Sequence, residues 1–314
     1  MSTQTMHEAL PSRVAVIGSR AAQALARGDN GAVMAVFERS VHIAVDDAFI
    51  CVGGPGIGNG PLNAIVHPPF ASRWPVGIEP SEPVEIAARQ LKFRSGLLDC
   101  RDAQIWRPQP WPQPASPRAM RSTLDRVAAI ARARAPPEGL SRAIIDGGAR
   151  APATCTAAIE RVAIPRIQAL RAWLGDRIGG TGGAAFPPAQ AVGLLGLGPG
   201  LTPSGDDVLC GVLLGLHAIG ATAIASELAG SVLSAAPLQT TPLSRALLAA
   251  SAEGEGGEAL HRFIAAASSA SADQLDCVVE NLGRIGHTSG WDALAGAFLV
   301  LSAYAVRHPP TRSP

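Results

Sequence analysis

Apolar and polar positions follow two different periods along the chain. Residues 33–37 and 41–45 alternate or are β-branched, Asp46-Asp47 supplies a turn, and residues 49–52 follow in a hairpin pattern. A glycine-rich loop, Gly53 to Pro61, leads to a short strand at 64–66, and further strand-like pieces fall within 76–106. Residues 107–118 hold five prolines, which cannot donate backbone hydrogen bonds and resist helix interiors, so this stretch reads as an extended linker. Beyond it the period becomes helical. Helices are predicted over 119–134, 155–175, 205–219, 222–235, 242–252, 256–270, 272–283 and 290–306, with Pro165 kinking or starting one of them. The fold class is α+β: a β-rich domain over 1–106, sandwich or barrel-like, a proline-rich linker over 107–118, and a mainly α-helical domain over 119–314.

Length and composition narrow the role. A chain of 314 residues with 47% apolar content accommodates two domains and a sizeable core. The net charge is +1 with both signs interspersed, and Lys92 is the only lysine. No basic face marks a nucleic-acid or membrane-surface role. The cysteines, Cys51, Cys100, Cys155, Cys210 and Cys277, are odd in number and lack metal-ligand spacing, which fits a reducing compartment. His42 and His67 show no metal spacing either. The N-terminus lacks an apolar signal core, and the apolar runs near 208–219 and 293–306 fall short of the roughly 20 residues that span a bilayer. A cytoplasmic location is expected.

Two segments match at a constant offset of 85 positions: Ser204-Gly-Asp-Asp-Val-Leu-Cys-Gly and Ser289-Gly-Trp-Asp-Ala-Leu-Ala-Gly. Ser204, Gly205, Asp207 and Gly211 correspond to Ser289, Gly290, Asp292 and Gly296. Each helix begins in the same chemical way. Hydroxyls favoured as caps stand ahead of it, and first-turn amides attract anions. Behind each start the helix is apolar almost all round and should be buried, with Gly211, Gly215 and Gly296 permitting close approach. Gly196, Gly198, Gly200 and Gly205 let backbone approach a ligand closely. The loop is not a P-loop, because no Gly-Lys-Ser/Thr follows. The Gly53–Gly60 loop lacks the context of a dinucleotide fingerprint and reads as a turn between strands.

The candidate catalytic residues are His287, Asp207 and Asp292. The candidate anion-binding residues are Gly198, Gly200, Thr202, Ser204, Gly205, Asp206, Thr288, Ser289 and Gly290. A capping role alone accounts for a single aspartate at a helix start, and a structural role for a lone histidine. Trp291 packs against the core or a pocket wall. No cofactor is expected, although Asp206, Asp207 and Asp292 together suit a divalent metal. No basic residue lies in either motif; Arg245, Arg284 and the Lys92/Arg94 pair are the candidates to complete an anion site.

At Gly198-Pro-Gly-Leu-Thr-Pro-Ser-Gly-Asp-Asp207 and Ile285-Gly-His-Thr-Ser-Gly-Trp-Asp292 the chain resembles the AllH-type family, mainly over residues 190–305. The resemblance implies a subunit of oxamate carbamoyltransferase, which converts oxalurate and phosphate to oxamate and carbamoyl phosphate in anaerobic allantoin breakdown. It implies FdrA-like and second uncharacterised-domain partner subunits and a small anionic substrate, with neither nucleic acid nor membrane. Two other readings compete. One is a metal-dependent hydrolase using Asp206, Asp207, Asp292 and His287. The other is a non-catalytic assembly subunit whose motifs only cap buried helices. If the two motifs share a ligand, the residues around Ser204 and Ser289 should lie within about 10 Å of each other.

Overall fold

The computed structural model describes residues 12–66, 77–147, 158–180, 188–271 and 275–306. Two compact units divide the chain, Met1–Pro108 and Gln109–Pro314.

The first unit is a closed β-barrel. Its strands are β1 (Ser12–Gly18), β2 (Asn30–Val36), β3 (Ser40–Val45), β4 (Ala48–Gly53), β5 (Asn63–Val66), β6 (Pro83–Ala87), β7 (Gln90–Phe93), β8 (Gly96–Asp99) and β9 (Gln104–Trp106). The order is β5-β4-β3-β2-β6-β7-β8-β1-β9, and an added β1–β5 pairing closes a ring of eight. β8 pairs with Ser12 and Arg13 of β1, and β9 with Val16 to Gly18. Register shifts in β1 and β2 supply the irregularities that let a sheet curve onto itself. The hairpin read from the sequence is β3–β4, closed by Asp46-Asp47 with Asp46 at φ 50°. Inward apolar residues such as Ile17, Val41, Ile43, Ile50 and Leu91 fill the barrel.

A helix, α1 (Ser19–Arg27), lies in this β-rich unit where none is predicted, and buries Ala21, Ala24 and Leu25 against the barrel core. The carbonyl of Pro61 accepts from the Arg20 and Ala21 amides. The glycine-rich loop is a connection between β4 and β5, with a single 3-10 turn at Pro55–Ile57, as its turn reading requires. His42 contacts Cys51 Sγ at 3.4 Å within the barrel wall, and burial pushes the Cys51 and Cys100 thiols up to about 12. His67 and Cys155 lie outside the described residues.

The second unit is helical. Its helices are α2 (Pro117–Arg134), α3 (Ser141–Ile145), α4 (Ala158–Gly179), α5 (Pro188–Val192), α6 (Ser204–Ala218), α7 (Thr222–Gln239), α8 (Pro242–Ala252), α9 (Glu258–Ser268), α10 (Leu275–Gly283) and α11 (Ser289–Val306). Each of the eight predicted helices has its counterpart, and Pro165 lies within α4. Ahead of α2 the proline-rich stretch carries no helix or strand. Trp111 stacks on His261 at 4.1 Å, and the Ala115 amide donates to Ser268.

Helices α6 and α11 form the centre of this unit, and glycines set how closely they meet. A Cβ on Gly211 would lie 1.9 Å from the Ala293 carbonyl oxygen, and one on Gly296 would lie 2.0 Å from that of Val208. The two contacts are the same contact read from each side of the repeat. Among the described residues α11 is the helix long and apolar enough to cross a membrane, but Gly290 to Leu301 are buried among α2, α3, α4, α6, α9 and α10. It is the core helix of the unit.

Candidate active site

The repeat extends into the loops that lead to each helix. The Gly205 amide donates to Leu197 O at 2.9 Å, and the matching Gly290 amide donates to Ile285 O at 3.1 Å. A Cβ on Gly205 would strike Leu194 O at 1.9 Å, and one on Gly290 would strike Leu282 O at 1.9 Å. These two glycines let each helix start press against the chain before it, a packing role beside the ligand contact expected of them. A Cβ on Gly198 would stand 2.8 Å from the Ser204 amide nitrogen, whereas Gly200 is exposed and faces open space.

The two starts meet. Thr202 Oγ1 and Ser289 Oγ are 2.9 Å apart, well inside the 10 Å that a shared site requires. The hydroxyls then cross over between motifs. The Ser289 and Thr202 hydroxyls act to lower the Asp207 carboxyl, while those of Ser204 and Thr288 act to lower that of Asp292. The hydroxyls therefore serve the carboxyls. The residue before α6 is Pro203, whose side chain makes no cap, so the predicted hydroxyl cap is absent at this start.

Both carboxyls are deeply buried, Asp207 at 7% exposure and Asp292 at 0%. Asp292 Oδ1 accepts from the Leu140 and Ser141 amides at 2.7 and 2.9 Å. The other oxygen, Oδ2, has no partner, and neither does Asp207 Oδ2. Burial raises the Asp207 carboxyl well above the usual range, and the nearby Asp292 and Asp206 charges raise it further against the Ser289 and Thr202 hydrogen bonds. Burial pushes Asp292 up to about 6 despite its four hydrogen-bond donors. A pair of orphan carboxyl oxygens at the junction of two symmetric helix starts is costly for the fold alone.

Asp206 stands apart from this pair. Its Oδ1 accepts from the Gly196 amide at 2.9 Å and its Oδ2 from Thr240 Oγ1. Thr241 Oγ1 holds Leu201 O at 2.6 Å and also caps α8. Asp206 and the start of α8 therefore clamp the loop at 196–201, a structural use of a residue expected to bind ligand.

The amides expected to cradle an anion are largely engaged. Those of Gly205, Asp206 and Asp207 donate to Leu197 and Pro203, and those of Gly290 and Asp292 to Ile285 and Thr288. His287 lies at the rim, 75% exposed, with its Nε2 3.4 Å from Glu138 Oε2, itself 60% exposed. Trp291 is buried, its ring edge against Gly283. Of the candidate cations, Arg284 pairs with Glu280 at 2.8 Å, and Lys92 and Arg94 belong to the barrel unit. Arg245 sits in the first turn of α8, next to Ser244, whose hydroxyl donates to Leu201 O at 3.4 Å.

The sequence reading missed Glu138, Gly139, Leu140 and Ser141. A turn was legible there: Pro136-Pro137 followed by Glu-Gly-Leu-Ser is a breaker ahead of a short helix. That it turns its amides onto Asp292 was not.

Residues 194–301 match the family model described as oxamate carbamoyltransferase subunit AllH. Over these residues the chain is similar to that family. The matched segment contains both helix starts, the crossed hydroxyls, the carboxyl pair and the Asp206 clamp. The Glu138–Ser141 turn on Asp292 lies before it. No curated protein and no solved structure matches the chain.

Proposed function

We propose that this protein is a subunit of a carbamoyltransferase of the oxamate type, working at the junction of the two helix starts. The observation that carries the reading is the Thr202–Ser289 contact, which joins residues of two distant motifs at one place. The family description supplies the reaction class and the word subunit.

In the reaction, an oxygen of hydrogen phosphate attacks the ureido carbon of oxalurate, and the bond from that carbon to the oxamate nitrogen breaks. The phosphate proton ends on the departing nitrogen, giving carbamoyl phosphate and oxamate with charge conserved. The hydroxyls of Thr202, Ser204, Thr288 and Ser289 orient the substrate oxygens. His287, exposed at the rim and faced by Glu138, carries the proton between phosphate and nitrogen. Asp207 and Asp292 form the floor of the site. The FdrA-like and second uncharacterised-domain subunits complete the enzyme, in a cytoplasm that keeps Cys51, Cys100, Cys210 and Cys277 as free thiols.

The test is to co-express the chain with both partners and follow carbamoyl phosphate formed from oxalurate and phosphate. The reading expects co-purification and turnover that requires this chain. A stable complex with no turnover, or turnover unchanged when the chain is omitted, would overturn it.

A further inference from the structure

We propose that Asp207 and Asp292 hold one hard divalent cation of the Mg2+ or Mn2+ class, through which the site takes its phosphate. The inference rests on the function proposed above for the identity of that anion. The cation itself rests on the geometry of the pair.

The first argument is electrostatic. The substrates of the reaction are anions, yet the junction presents two carboxyls and four hydroxyls. Among the described residues no Lys, Arg or His forms an ion pair with either aspartate, and what acts most strongly on the two carboxyls is burial, hydrogen-bond donors and the neighbouring aspartates. Four of the cations on the surrounding elements hold other groups, and Arg245 on α8 makes no ion pair with either aspartate among the described residues. Arg142 donates to Ala135 O, Arg166 to Gly193 O, Arg171 to Ile144 O, and Arg284 pairs with Glu280. The helix-start amides are mostly engaged as well. Without a cation the junction would repel phosphate.

The second argument is the orphan oxygens. Asp207 Oδ2 and Asp292 Oδ2 are both buried and without a partner. The Leu140 and Ser141 amides fix Asp292 Oδ1 and leave Oδ2 available. Gly139, at φ 83°, covers that oxygen so closely that a Cβ would stand 2.7 Å from it, and glycine keeps the space clear. Ions of this class are held by one or two carboxylates, with water and substrate phosphate filling the other positions. No group of three His, Cys, Asp or Glu gathers among the described residues, which suits such a site and not an all-protein cage. Asp206 is no ligand, because both its oxygens are taken.

The test is Mn2+ titration of the purified full-length chain, followed by calorimetry and paramagnetic resonance, with and without inorganic phosphate. Wild type should bind one Mn2+, more tightly with phosphate, and its unfolding temperature should rise with Mn2+. Asp207→Asn and Asp292→Asn should each weaken binding at least tenfold and abolish the thermal response. Asp276→Asn, on the surface where its partner is Arg126, should bind as wild type does. Where an Asn variant does not fold, Asp207→Ser and Asp292→Ser replace it. The proposal is overturned if wild type shows no saturable Mn2+ or Mg2+ binding, or if folded variants at both aspartates bind equally well. Failure of the function is separable: Mn2+ binding without carbamoyl transfer by the complex sinks that reading and leaves the cation. Full transfer after chelation, with no Mn2+ binding, sinks the cation and leaves the reading.

Discussion

Thr202 and Ser289 lie 87 residues apart in the chain and 2.9 Å apart at their hydroxyl oxygens. The contact ties the starts of α6 and α11 together, and both hydroxyls act on Asp207. A net hydrogen bond of this kind contributes about 0.5–1.5 kcal/mol. Thr202→Val and Ser289→Ala should therefore be non-additive. Chemical denaturation of the single and double variants is expected to give a double-variant loss smaller than the summed single losses. Strict additivity would mean that the two starts are held together by other contacts.

The glycines at the α6–α11 crossing should be intolerant of any side chain. Gly211→Ala and Gly296→Ala each place a methyl within about 2 Å of a backbone carbonyl on the facing helix. Each should cost about 3 kcal/mol or more, the upper range for overpacking. Gly230→Ala, on α7 in open space, should be neutral or stabilising. Urea midpoints decide this, and equal effects at the three positions would contradict the crossing.

Asp206 and Asp207 are neighbours with separate duties. Asp206→Ala removes the acceptor for Gly196 N and Thr240 Oγ1 and should lower the unfolding temperature by releasing the 196–201 loop. Asp207→Asn removes a buried carboxyl with an orphan oxygen, so the metal-free chain should be at least as stable as wild type. Calorimetric scans under chelation test the pair. Greater destabilisation by Asp207→Asn than by Asp206→Ala would reverse these assignments.

His261 should make the helical unit acid-sensitive. Burial against Trp111 lowers its pKa to about 4 from the usual 6.5, with Glu255 and the Gly254 backbone acting to raise it and His217 to lower it. Its neutral ring accepts from Gly256 N. The folded value lies below the unfolded one, so the contribution is complete above about 6.5 and is lost as pH falls toward 4. From pH 7 to 4.5 wild type should lose on the order of 2 kcal/mol more than His261→Gln. Identical pH dependence in both proteins would show that the ring is not held neutral.

Much of this organisation was legible in the sequence, and the residues that escaped did so for physical reasons. The eight helical windows and the β3–β4 hairpin follow from period, turn chemistry and apolar content. The meeting of the two starts follows from the repeat, since two all-apolar helices with matching glycines bury best against each other. Helix α1 escaped because Ser19–Arg27 offers a single large apolar residue, Leu25, among alanines and polar residues, and its buried face becomes visible only against the barrel. Barrel closure depends on the β1–β5 pairing across the chain, which no local pattern encodes. The split between Asp206 and Asp207 escaped because adjacent helical positions differ by about 100° in direction, and only tertiary packing says which one faces the second motif. The hydroxyls were read as caps because hydroxyls at a helix start usually are. Pro203 at the cap position frees them for the carboxyls.

The most direct measurement of the central claim, one site shared by both helix starts, is the turnover of the assembled enzyme carrying Asp207→Asn, Asp292→Asn or both. Each single variant should fold, enter the complex and lose about 100-fold or more in kcat/KM, as when a group that positions charge in a reaction is removed. The double variant should lose little beyond the worse single one, because the two carboxyls act as a unit. Wild-type turnover in a folded, assembled Asp207→Asn or Asp292→Asn enzyme would contradict the account.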